Sequence, residues 1–423
     1  MSTESKKTLL HAWHCEHGAK MADFGGYEMP LWYSSVKNEH LAVITNAGLF
    51  DTSHMAVVLV DGPEAFDLLQ TCFTNDLSAC IGPQKKELYP GRCVYGAFLK
   101  ENGDVIDDAI IFQLAKADYM IVINAGMGAS IAAHLNAHAA GKDVVVKDLT
   151  DMLGKVDVQG PMAAKIVSKV LAEPDRVFEA MPYFSFKGHF DAASPLADAV
   201  RTSDGTPILL SRTGYTGEFG FEIFVNPNMI ETLWQTILDA GDEFGITPCG
   251  LAARDSLRAG AVLPLSHQDI GNWPFMNHPW LFALPTDGHK TDFTKTFIGS
   301  DALRSSENAD YTYAFIGNDL RKVSTTDPAQ VLDADGRTIG SVLTCATDMA
   351  LGMVDGKIYS VASPDRPAAF KAKGLSCGFV KVDRELSPGQ LLQLKDNRRS
   401  IKVRTTEDVR PYRTARVPLK NML

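Results

Sequence analysis

A chain of 423 residues in which 45% of side chains are hydrophobic can bury a large core, and its length corresponds to roughly two to four domains. With 51 acidic against 41 basic residues the formal charge is -10, which excludes a general electrostatic attachment to nucleic acid phosphate. The polar start Met1-Ser2-Thr3-Glu4-Ser5-Lys6-Lys7 leads into no long apolar stretch, so a cytoplasmic protein without a membrane span is expected. Seven widely spaced cysteines with no Cys-x-x-Cys pair point to reduced thiols rather than disulfides or structural zinc.

In chain order, His11, His14, Cys15 and His17 crowd a segment that reads as a helix ending at the Gly18 turn. Only some of these side chains can share a face, so no metal site is expected there. Val57 to Val60 reads as a strand. Asp107 and Asp108 lie between the turn Glu101-Asn102-Gly103-Asp104 and the apolar run Ala109 to Phe112, which places at least one carboxylate at the start of a strand. Neighbouring strand residues point to opposite faces, which argues against a proton-sharing pair and leaves one Asp facing inward alone. Locally, a solvated turn and a functional carboxylate both remain open.

The strand-like run Tyr119 to Ile123, the turn Asn124-Ala125-Gly126-Met127-Gly128 and a helical pattern from Gly128 to Ala140 imitate a dinucleotide site. Ile131 stands where the third glycine is needed, so the segment reads as an ordinary tight turn. A second helix is expected over Met162 to Leu171. From Arg212 to Phe224, glycines punctuate a turn before a strictly alternating strand, with Phe219, Phe221 and Ile223 on one face and Gly220, Glu222 and Phe224 on the other. If the second face is buried, Glu222 must find donors, from a ligand or from an internal ion pair. Gly250 to Arg258 reads as a helix with Arg254 and Arg258 four residues apart, which favours an anionic neighbour, either a substrate or a protein acid. Beyond Tyr311, short strands separated by Gly, Asp, Pro and Asn turns replace the helical periodicity.

Taken together, these segments resemble the aminomethyltransferase (glycine cleavage T-protein) family of tetrahydrofolate-dependent one-carbon transferases. The resemblance runs through Phe50-Asp51-Thr52-Ser53-His54-Met55, Gly103 to Ile111, Asn124-Ala125-Gly126, Val158-Gln159-Gly160-Pro161, Arg212 to Ile223, Gly250 to Arg258, Phe297-Ile298-Gly299 and Gly336 to Val342. It implies an α+β fold in which two intertwined α/β folate-binding units, within residues 1–300, precede a C-terminal β-barrel or jelly-roll-like domain over 311–423. It implies Asp108 as the catalytic aspartate, Glu222 at the pterin edge, Arg254 contacting folate, and Tyr95, Asn124 and Tyr215 lining the pocket. Tetrahydrofolate is the implied acceptor, and an aminomethyl group on the lipoyl arm of an H-protein the implied donor, giving 5,10-methylenetetrahydrofolate and ammonia. An anionic aspartate could orient the folate amine and stabilise the cationic carbon that develops during transfer.

Three departures leave the donor open. Where the family carries Leu-Glu-Ala-Gly, this chain reads Ala259-Gly260-Ala261-Val262; a segment usually containing Gly-Leu-x-Trp is here Trp273-Pro274-Phe275-Met276-Asn277-His278-Pro279-Trp280; and extra residues lie around Gly352 to Lys373. The competing readings are a tetrahydrofolate-dependent demethylase acting on a small methylated amine, sulfonium or aryl ether, and a noncatalytic folate-binding assembly factor.

Overall fold

The computed structural model describes residues 5–287, 292–305, 310–327 and 329–423. Its framework is two sheets stacked face to face, each covered outside by helices. Five antiparallel strands form the first sheet, in the spatial order Cys93–Leu99, Val105–Ala115, Asp118–Ile123, Ala56–Asp61, Val145–Asp148. The second sheet has six, in the order Phe186–Gly188, Ile208–Ser211, Gly220–Val225, Gly154–Gln159, Ala47–Asp51, Ile246–Pro248. The chain lays down Ala47–Asp51, builds the whole five-stranded sheet, and only then returns to complete the second, so the two units are intertwined.

Three apolar layers follow from the period-two alternation of the strands. Val58, Ile111, Ile121 and Ile123 pack outward against Leu68, Leu69, Ile131 and Leu135 of the helices Ala65–Cys72 and Gly128–His138. Val156, Val158, Phe221 and Ile223 do the same against the helices Ala163–Val170 and Ile230–Gly241. Between the sheets, Phe112, Met120 and Val122 meet Leu209 and Phe224. The Gly126 turn, with φ of 76°, is a tight turn against the Gly25 segment.

The strands from Tyr311–Gly317 to Ser400–Thr405 close into a six-stranded barrel. It shares a core with the front of the molecule: Ala314 and Phe379 pack with Leu99, Val105 and Trp280. The helix Leu251–Gly260 is clamped at its start and at its middle. Buried Glu39 accepts the Gly250 N–H at 2.9 Å, and buried His40 joins Ser256 (2.8 Å) to Asp348 of the barrel (2.9 Å). The extra residues after Gly352 form a hairpin, Leu351–Val354 with Lys357–Ser360, whose flanks Ala350, Val361 and Ala362 pack on Val43, Phe50 and Leu257. All seven cysteines are free thiols, and no described helix is long and apolar enough to cross a membrane.

Candidate functional site

Asp107 and Asp108 stand on the strand Val105–Ala115, and Asn124 immediately follows the neighbouring strand Asp118–Ile123. The Asn124 side-chain amide donates to Asp108 Oδ1 at 2.7 Å and to Asp107 Oδ1 at 2.9 Å, while its backbone N–H donates to Asp107 Oδ2 at 3.1 Å. Alternation of faces separates the two carboxylates along the strand, yet one amide from the next strand bridges them. The expectation that one Asp faces inward alone is therefore corrected: Asp107 and Asp108 are both drawn to one donor and feel each other's charge.

Around Asp107 gather the Ser266 hydroxyl, which donates at 2.7 Å, and the His267 ring, whose Nε2 lies 3.6 Å away. Asp108 instead receives the Tyr95 hydroxyl at 2.7 Å, so its partners are a phenol and an amide, neither charged. Burial, reinforced by the negative charge of Asp107, pushes the Asp108 carboxyl up to about 6. Burial and the same carboxylate hold the Tyr95 phenol well above its ordinary value, so it remains a donor.

The facing sheet carries the opposite arrangement. Asp157 and Glu222 are cross-strand partners, and like charges directly opposed repel unless something bridges them. Lys155, two residues before Asp157 on the same face, reaches both, with Nζ 2.6 Å from each carboxylate. Arg254 adds a second cation to Asp157 at 2.9 Å, Thr52 donates to Asp157 at 2.8 Å, and Thr213 donates to Glu222. Two acids and two bases thus compensate one another in a buried chain. Burial pushes the Asp157 carboxyl up, but Lys155 and Arg254 outweigh it and hold it below the usual carboxylate range. The Arg254 guanidinium also lies over the Tyr215 ring at 4.8 Å from its centroid, and the Tyr215 hydroxyl donates to the Pro264 carbonyl.

Asp108, Glu222, Arg254, Tyr215, Asn124 and Tyr95 all line one cavity of about 870 Å³. The helical spacing of Arg254 and Arg258 suggested a shared anion, but they part company. Arg254 faces the cavity, whereas Arg258 is fully buried against Asp269 and Asp255. Sequence reasoning gave no role to Lys155 and Asp157. Their signal was present in Lys155-Val156-Asp157-Val158-Gln159, where polar residues alternate with valines along a strand.

The departures in sequence have physical counterparts. A Cβ at Gly260 would stand 2.0 Å from Asp348 Oδ2 and 2.6 Å from Arg410 Nη1, so the barrel supplies the acid that the helix lacks. That carboxylate is paired with Arg410 at 2.6 Å as well as with His40. Val262 lines the cavity with φ of 59°, a left-handed conformation costly for a β-branched residue, and its carbonyl accepts the Trp280 indole N–H at 2.9 Å. His267 and Asn277 are also left-handed, so backbone strain concentrates in the segment from Val262 to Asn277.

A family model described as the GCVT N-terminal domain matches residues 10–273, more than half of the chain. The aminomethyltransferase of Geobacillus thermodenitrificans is 38% identical over 305 residues, covering 72% of this chain and 76% of that enzyme. That of Bacillus subtilis is 41% identical over 265 residues, covering 63% and 67%. Among solved structures, glycine cleavage system aminomethyltransferase T from Bartonella henselae superposes with a TM-score of 0.73 at 25% identity, covering 95% of this chain and 96% of that one.

Proposed function

The chain belongs to the GCVT family and is a one-carbon transferase of the aminomethyltransferase kind; we propose that it moves an aminomethyl group from the lipoyl arm of an H-protein to tetrahydrofolate, within the cavity between the two sheets. The observation that carries this reading is the asymmetry of the cavity walls: among the described residues Asp108 faces the cavity with no cation bonded to it, opposite Glu222 and Arg254, which Lys155 and Asp157 pair from behind.

The residues present suit a folate. A cavity of about 870 Å³ matches a ligand of that size, and the Tyr95 and Tyr215 rings offer faces to a planar heterocycle. Glu222, ion-paired with Lys155, accepts hydrogen bonds from the donor-rich edge of such a ring. Arg92, Arg413 and Arg416 line the same cavity and suit carboxylates at the far end of the ligand.

Tetrahydrofolate, when bound, supplies the amines that take up the one-carbon unit. Asp108, ionised above about pH 6, accepts an N–H from the acceptor amine and fixes its lone pair toward the incoming carbon. Its negative charge, undiluted by a paired cation, then stabilises the positive charge that develops on the transferred carbon. Tyr95 and Asn124 hold the carboxylate in place and leave its charge in force.

The test is to incubate the protein with tetrahydrofolate and either aminomethyl-loaded lipoyl carrier or a panel of small methylated amines, sulfoniums and aryl ethers, and to identify the folate product by mass spectrometry. Methylenetetrahydrofolate and ammonia formed only with the carrier are the expected result. Methyltetrahydrofolate from a small donor overturns the choice of donor, and product from neither set overturns the reading.

A further inference from the structure

On the face of the five-stranded sheet opposite the cavity, the helices Ala65–Cys72 and Gly128–His138 pack side by side. His134 and His138 are four residues apart on the second helix and therefore project from one face, with ring centroids 4.9 Å apart. Buried Cys72, the last residue of the first helix, faces them: its Sγ and one nitrogen of each imidazole all lie within 4.8 Å of one another.

The hydrogen bonding of the three side chains suits ligation. His138 Nδ1 lies 2.8 Å from the His134 carbonyl, so Nδ1 carries the proton and Nε2 presents a lone pair. His134 Nε2 is buried and makes no hydrogen bond, an unusual condition for a buried polar atom.

We propose that Cys72, His134 and His138 form a zinc site that links the two helices and leaves the fourth coordination position open. One thiolate and two imidazoles are the donor set that a borderline-soft, d-filled cation takes. Bond lengths of about 2.3 Å to sulfur and about 2.0 Å to nitrogen place tetrahedral ligand atoms roughly 3.5 Å apart. The observed spacing closes to this by side-chain rotation of about 1 Å. Binding forms a Zn–S bond, and the Cys72 proton is released to solvent. Burial opposes ionisation of the Cys72 thiol and outweighs the nearby cations Lys295 and Lys142, so the proton leaves only as the Zn–S bond forms.

The pair His11 and Cys15 serves as an internal control. Its sulfur lies 3.9 Å from the His11 ring, but His11 Nε2 is already bonded to Glu28 at 2.7 Å, and the cysteine is exposed.

The full chain, stripped with a chelator, is titrated with Zn²⁺ against a chromogenic competitor and with Co²⁺ as a spectroscopic stand-in. One equivalent binds, and Co²⁺ gives a thiolate-to-metal charge-transfer band. Cys72→Ser abolishes the band, and His138→Gln, at a partly exposed position that leaves the helix intact, weakens Zn²⁺ at least about 100-fold. Cys15→Ser changes neither. Absence of stoichiometric uptake, a band that survives Cys72→Ser, or one lost in Cys15→Ser overturns the proposal.

Discussion

On the wall built by Val105–Ala115, two carboxylates share an amide, a phenol and a serine hydroxyl, and among the described residues no cation is bonded to Asp108. On the wall built by Gly154–Gln159 and Gly220–Val225, two carboxylates are met at ion-pair distance by Lys155 and Arg254. Both walls bury acids, but only the first leaves a carboxyl raised to about 6. A compensated cluster is a rigid recognition surface; an uncompensated carboxylate is a group held at a cost, and its charge is free to act on whatever enters the cavity.

Breaking the compensated wall has the largest expected effect. Lys155→Met leaves Asp157 and Glu222 facing each other across the strands, with Arg254 alone to balance them, and costs about 3–5 kcal/mol in urea unfolding. The other wall responds in the opposite sense. A carboxyl whose folded value is raised from the ordinary ~3.9 to about 6 destabilises the fold once ionised, so Asp108→Asn stabilises by about 1–3 kcal/mol. That gain is full above about pH 6 and vanishes below roughly pH 4, where the wild-type carboxyl is protonated in both folded and unfolded chains. Equilibrium unfolding at pH 8 and pH 4 checks both the sign and the window.

Smaller effects sharpen the contrast within the aspartate wall. The transfer rate rises with pH through about 6 as Asp108 ionises. Asp107→Asn removes the neighbouring charge and moves that limb down by about one pH unit, read from single-turnover pH profiles. His267→Asn moves it up by less than about half a unit, because the ring is half-exposed and 3.6 Å from Asp107.

How much of this the sequence disclosed varies by element. The strand of Glu222, the helix of Arg254 and the strand-rich region beginning at Tyr311 were readable because alternation, helical spacing and turn chemistry are local. The motif resemblance brought six residues from five distant segments toward one pocket, which no local pattern could do. Long-range pairing stayed hidden. Nothing in the order of residues tells that Asp348 fills the space beside Gly260, that Lys155 reconciles Asp157 with Glu222, or that Asn124 reaches both aspartates. The rule of alternating faces was sound for the backbone and misleading for the chemistry, because a side chain from the next strand can reach across the pleat. The zinc candidate was equally invisible: Cys72 is 62 residues from His134, and only helix packing brings them together.

The most direct test compares Asp108→Asn and Glu222→Gln in parallel for tetrahydrofolate affinity and for the single-turnover rate of transfer. The wall asymmetry predicts that Asp108→Asn binds tetrahydrofolate within a few-fold of wild type and loses about 10²–10³ in rate, while Glu222→Gln loses chiefly affinity. Asp108→Asn at wild-type rate, or losing affinity as severely as Glu222→Gln, would contradict the division of labour between the two walls.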